Sequence, residues 1–209
     1  MKLTIFGCTG NVGSHLIPLA LDLGHDVTAF VRDPANLVRR DELSVVEGQL
    51  DDAAAVARAI EGADAVLSAL GARSNTPEQV KIFGTAMANI TAAMKEHGVT
   101  RLVAISGAGV LTPDDHVTMG RRFVRFLLGL MAKHVALAKE REYEIITATD
   151  LEWVLVRPPR IIPGPATGTY RVFPDRVPSP KISRGDVAHL MLACATEDEW
   201  VRRAPIPGY

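Results

Sequence analysis

Three glycines, Gly7, Gly10 and Gly13, close an apolar run (Leu3-Thr4-Ile5-Phe6) and open an apolar helical pattern through Leu16, Ile17, Leu19, Ala20 and Leu23. That spacing suits the capture of a pyrophosphate. The first glycine lets the chain turn sharply out of a strand. The second admits backbone N–H groups to phosphate oxygens with no Cβ in the way, and the third lets the next helix pack closely on the sheet. The helix N-terminus adds unpaired N–H donors and a partial positive charge. A glycine triplet arises easily by chance, so the strand before it and the helix after it carry the inference. Gly7, Thr9, Gly10, Asn11, Val12 and Gly13 are therefore the expected dinucleotide loop, with a purely structural turn as the bland alternative.

The second group of residues decides which dinucleotide. The end of the next apolar run reads Phe30-Val31-Arg32-Asp33-Pro34. An acid there serves the ribose hydroxyls of NADH, whereas a cation serves the 2′-phosphate of NADPH. Arg32 favours NADPH, since a planar guanidinium matches a phosphate. Asp33 before Pro34 is explained as a helix cap followed by its first residue. NADH stays possible, and Arg32 has the alternative of a solvated loop position. Gln49 and Leu50 follow the third apolar run, at the level of an adenine ring. Ala69, Leu70 and Gly71 end the fourth, small enough for ribose and pyrophosphate to press on the backbone. Arg73 reads equally as a phosphate ligand or as a solvated charge. Ser106 and Gly107 end the fifth run, with Ser106 expected to point into the crevice beside a nicotinamide.

These positions must be held by strands near 2–6, 26–31, 44–47, 64–69, 100–105 and 152–157, alternating with helical patterns near 11–23, 51–61, 77–97, 120–148 and 184–196. Strict alternation predicts an α/β fold, a Rossmann-type doubly wound parallel sheet with helices on both faces. Its ligand lies at the carboxyl ends of the strands, where strand order reverses. The length of 209 residues fits a single NAD(P)-binding domain over 1–209, its substrate end formed mainly by 106–125 and 158–182. The proline-rich stretch 158–180 predicts irregular chain, with a short strand around Tyr170–Phe173. A formal net charge of −1 and 22% charged residues give no nucleic-acid surface. Cys8 and Cys194 are far apart and Cys8 lies inside the loop, so no disulfide is expected and a cytoplasmic location follows. Met1-Lys2-Leu3 leads straight into a strand, without the pattern of a signal peptide, and no apolar run is long enough to span a membrane.

The same residues resemble the atypical short-chain dehydrogenases/reductases, in particular the group of biliverdin-IXβ reductase and NADPH-dependent flavin reductase, with an NmrA-like NAD(P)-binding fold. The likeness rests on Ile5-Phe6-Gly7-Cys8-Thr9-Gly10 with Gly13, Val31-Arg32-Asp33, Leu70-Gly71-Ala72-Arg73 and Ile90–Val99 with its Met-Lys-x-His-Gly-Val. It continues through Arg157-Pro158-Pro159-Arg160-Ile161, Ala166–Tyr170 and Ile182–Ala188, and is weakest over 109–148. It implies a reductase passing hydride from NADPH to a small-molecule acceptor, with Ser106 and Pro158 beside the cofactor. Arg160 would line the acceptor pocket and pair with an acceptor phosphate or carboxylate. Arg160 stands where the biliverdin reductase pattern has a histidine, which speaks against a tetrapyrrole. The chain also lacks the Tyr-x-x-x-Lys pair of the main short-chain dehydrogenases: Thr147 follows Tyr143 and Pro174 follows Tyr170 at that spacing. Such a tyrosine moves a proton at a substrate oxygen, so alcohol dehydrogenation and epimerisation are disfavoured. Flavins and quinones take their proton from solvent and suit a site with little acid–base machinery. The alternative is a non-catalytic NADP(H)-binding redox sensor of NmrA type. A monomer or weak homodimer is expected.

The remaining features read more plainly. The six histidines show no metal-ligand spacing. His97, before Gly98, reads as a helix end. Ser183 with Asp186 reads as a capping box. Arg121–Met131 is basic and apolar, and core packing, a substrate lid or a subunit interface is preferred there over a membrane-surface role.

Overall fold

Six strands form one parallel sheet in the order β3-β2-β1-β4-β5-β6. They are β1 (Lys2–Phe6), β2 (Asp26–Val31), β3 (Leu43–Glu47), β4 (Ala65–Ser68), β5 (Arg101–Ile105) and β6 (Glu152–Val156). The computed structural model describes residues 1–37, 42–72, 74–119, 122, 126 and 129–209. Ile5 lies between Ala29 of β2 and Leu67 of β4, so β1 is the central strand where chain order reverses. That reversal opens a crevice at the carboxyl ends of β1 and β4.

The inner strands are apolar runs because both faces are covered, whereas edge strand β3 has no buried residue. Residues of one parity (Leu3, Ile5, Val27, Ala29, Leu67, Val103, Val154) pack under helices α1 (Gly13–Asp22) and α5 (Arg184–Thr196). The other parity (Phe6, Phe30, Val66, Leu102, Leu155) packs under α2 (Ala53–Ile60), α3 (Pro77–Glu96) and α4 (Lys133–Thr147). The ends of these helices follow local rules. Asp52 caps α2 by accepting the Ala55 N–H at 3.0 Å. Pro77 opens α3, and His97 is its C-terminal cap before Gly98 at φ +70°.

Two expectations need correction. The helix expected over 120–148 is broken at Ala132, which has φ −136° and ψ 43°. Lys133–Thr147 forms one helix, and before the break Met119, Arg122, Phe126 and Gly129–Met131 are helical among the described residues. Much of Arg121–Met131 lies outside the described residues. The stretch 158–180, expected to be irregular apart from one strand, carries more order. β7 (Arg160–Ile162) pairs in parallel with β9 (Lys181–Ser183), and β8 (Arg171–Phe173) pairs antiparallel with β10 (Ile206–Gly208). β8 is the strand expected near Tyr170–Phe173. The others are three residues long, too short to show a period.

Candidate functional site

The glycine loop begins where β1 ends. Gly7 has φ +79°, and a Cβ there would lie 2.7 Å from the carbonyl carbon and oxygen of Ala69, just past β4. Its carbonyl accepts the Gly10 N–H at 2.9 Å. A Cβ on Gly13 would lie 2.1 Å from that same Gly7 oxygen, so α1 approaches the loop closer than any side chain permits. At Gly10 the nearest atom would be 3.1 Å away, leaving that position the most open of the three. No side chain caps the N-terminus of α1, which begins after Val12. Burial pushes the Cys8 thiol up to about 12, and its Sγ donates to the Ile5 carbonyl.

Beside the loop lies a cleft of about 510 Å³. Gly7, Thr9, Arg32, Gln49, Leu50, Leu70 and Gly71 all line it. Gly10, Asn11, Val12 and Gly13 form the turn and helix start next to it, and buried Ala69 supports Gly7 from behind. Arg73 lies outside the described residues. Arg32 is exposed and has no ion-pair partner among the described residues. Asp33 is spent on local structure: its carboxylate accepts the Ala35 N–H at 2.9 Å and the Asn36 amide at 2.7 Å, capping the 3₁₀ turn Pro34–Asn36. Lys81, on the first turns of α3, is a second cation lining the cleft that sequence reading missed. Its signal was slight, a lone lysine early in an amphipathic helix.

Ser106, Gly107, Pro158 and Arg160 stand outside that cleft. The segments after β5 and β6 are zipped together there: the Ser106 N–H donates to Val156 O at 2.7 Å, and the Ala108 N–H to Pro158 O at 3.0 Å. The Ser106 hydroxyl is buried without a hydrogen-bond partner among the described residues. Pro158 is buried, whereas Arg160 is exposed at the start of β7, its N–H donating to Pro180 O.

Lys139 and Glu142 on α4 were also missed. The Lys139 ammonium donates to Leu70 O (2.9 Å), Ile105 O (2.7 Å) and Glu142 Oε2 (2.9 Å), which joins the carboxyl ends of β4 and β5. It also lies 4.6 Å from the ring centre of Phe83, which lines the cleft. Burial raises Glu142 above the usual carboxylate range against the pull of Lys139, and its Oε1 has no partner among the described residues. The available signal was a Lys and Glu three apart on the buried face of α4, with Ala138 and Ile146.

At the start of α5 the capping box is half realised. Ser183 Oγ accepts the Asp186 N–H at 3.0 Å, but the Ser183 N–H goes to the Tyr209 hydroxyl instead of the Asp186 carboxylate. Tyr209 donates in turn to Asp186 Oδ2 at 2.7 Å, and the Thr167 and Gly168 N–H groups donate to Oδ1.

A family model described as NAD(P)H-binding matches residues 7–198. The chain is 32% identical over 118 residues to the uncharacterised protein YwnB of Bacillus subtilis, covering 56% of this chain and 53% of that one. It is 30% identical over 175 residues to the 2-alkyl-3-oxoalkanoate reductase of Stenotrophomonas maltophilia, covering 79% of this chain and 52% of the reductase. The chain thus spans about half the length of these curated relatives. A short-chain dehydrogenase/reductase (wide type) of Veillonella parvula, solved in complex with NADP, superposes with a TM-score of 0.82 at 18% identity, over 100% of this chain and 94% of that one. That likeness concerns the fold. No helix among the described residues is long and apolar enough to cross a membrane.

Proposed function

The chain belongs to the NAD(P)H-binding family, oxidoreductase-like in its relatives, and from that premise we propose an NADPH-dependent reductase of a flat acceptor such as a flavin or quinone. The fit to the dinucleotide rests on the loop: Gly10 leaves room for a pyrophosphate, and the uncapped start of α1 presents N–H donors to it. Gln49, Leu50, Leu70 and Gly71 would hold the adenosine half within the same cleft. The resemblance to biliverdin-IXβ and flavin reductases belongs to this reading, as does a cytoplasmic setting.

One observation carries the preference for NADPH. Arg32 faces the cleft unpaired among the described residues, while Asp33, the acid that would serve NADH, is committed to its turn. The nicotinamide supplies a hydride, and the protein's task is to hold the acceptor against it. Lys139 has all three donors engaged by two carbonyls and Glu142, so it braces the ends of β4 and β5 and has no proton free to give. Acceptors that draw their proton from water fit that arrangement. Ser106 orients the ring, and Arg160 pairs with an anionic group of the acceptor.

The test is steady-state NADPH oxidation with FMN, riboflavin and menadione. Turnover with at least one is expected. Arg32→Ala should weaken NADPH by roughly ten- to a hundredfold, as loss of a charge-assisted phosphate contact of about 1.5–3 kcal/mol implies, and leave NADH nearly unchanged. Tight NADPH binding without turnover of any of the three would assign the chain to the redox sensors instead.

A further inference from the structure

We infer that the exposed side chains of Met119, Arg122, Phe126, Leu130, Met131 and Lys133 dock the protein on an anionic lipid surface. From His116 to Ala138 the sequence holds Arg121, Arg122, Arg125 and Lys133 and no aspartate or glutamate, in a chain whose net charge is −1. Asp115, just before it, is buried against Arg157 at 2.6 Å. Within this stretch Met119, Phe126, Leu130 and Met131 are each two-thirds or more exposed, the four most exposed large apolar side chains among the described residues. Core packing is thereby ruled out for these four. Arg122 and Lys133 are exposed beside them.

The C-terminal end of the patch is also anchored. Asn75 donates from its amide to Met131 O at 3.1 Å and accepts the His134 N–H at 2.8 Å. Asn75 leads into α3, whose residues Glu78, Gln79 and Ile82 line the cleft. Met131 is thereby tied to the residues that lead into a wall of the cleft.

Exposed apolar groups set among cations match the headgroup region of a bilayer, where the apolar groups enter the acyl boundary and the cations meet lipid phosphates. A second copy of the chain fits less well. In a twofold contact the patch faces itself, and the exposed cations Arg122 and Lys133 would meet their own images with no acid among the patch residues to offset them. The inference is independent of the redox chemistry.

Flotation of the full chain with vesicles tests it. Binding is expected to vesicles of mixed phosphatidylglycerol and phosphatidylcholine, with none to pure phosphatidylcholine and release at high salt. The double substitution Leu130→Glu with Met131→Glu should cut partitioning by about tenfold or more, and Arg122→Glu alone should cut it severalfold. Both variants should keep the wild-type melting temperature and NADPH affinity in vesicle-free buffer, which keeps this outcome separate from that of the dinucleotide site. Absence of flotation with phosphatidylglycerol would overturn the inference, as would unchanged flotation of both variants. A concentration-dependent dimer dissolved by the same substitutions, with no vesicle binding, would also overturn it and make the patch a self-contact.

Discussion

Gly10 and Gly13 sit three residues apart, and a methyl group added at each meets different surroundings. At Gly13 it would lie 2.1 Å from the Gly7 carbonyl oxygen, a main-chain atom with nowhere to go. Gly13→Ala should destabilise by about 1–3 kcal/mol or more, read as a lower melting temperature. At Gly10 the nearest atom, the Gly7 carbonyl oxygen, is 3.1 Å away, a tight contact that a shift of a few tenths of an ångström relieves. Gly10→Val should therefore stay folded at lower stability and lose NADPH in a calorimetric titration. Unchanged affinity would show that the pyrophosphate lies elsewhere. The glycines were legible because their chemistry is local: a positive φ, a close approach and a helix start all lie within seven residues. Lys139 was not, because its carbonyl partners lie 69 and 34 residues away and are main-chain atoms without a sequence signature.

Among the elements, α5 shows how a helix start can be built around one carboxylate. Burial works against the charge of Asp186, but hydrogen bonds from Tyr209, the Thr167 and Gly168 N–H groups and Ser183 outweigh it and hold the carboxyl below its ordinary range. A carboxylate with a depressed folded-state pKa adds stability above its unfolded pKa, and that stability is lost as pH falls through the folded value. Asp186→Asn should therefore be less stable at neutral pH by about 1–3 kcal/mol, with the difference narrowing in acid below the ordinary aspartate range. Urea unfolding at pH 7 and pH 3 measures it, and an equal difference at both would deny the carboxylate this role. The local half of this cap was readable as Ser-x-x-Asp. The other half was not, since Tyr209 arrives from 26 residues beyond Ser183. The six strands of the sheet emerged within one or two residues of their observed ends. For the inner strands burial on both faces writes apolar runs, and exposed β3 was marked by its paired valines, Val45 and Val46. β7, β9 and β10 leave no such run.

Across the whole molecule, a long-range arginine holds together what the sheet does not. The guanidinium of fully buried Arg157 donates to Ala204 O, Val110 O, Pro174 O and the Asp115 carboxylate. Segments after β5, after β8 and before β10 thus meet at one side chain at the end of β6. Periodicity describes elements singly and has no term for such a junction, so the sheet end of the protein was readable and this end was not. The two thiols span the same architecture. Cys8 lies in the glycine loop and Cys194 near the end of α5, both free and buried, each pushed up to about 12 by burial. Alkylating reagents attack the thiolate, so the folded chain should resist iodoacetamide until it opens. Labelling rates, resolved residue by residue in a mass spectrometer, then become a clock for breathing of the loop. If the dinucleotide binds only the closed loop, NADPH should slow the labelling of Cys8 by a factor of one plus its concentration over Kd. Identical Cys8 labelling with and without NADPH would mean that loop and cofactor never meet.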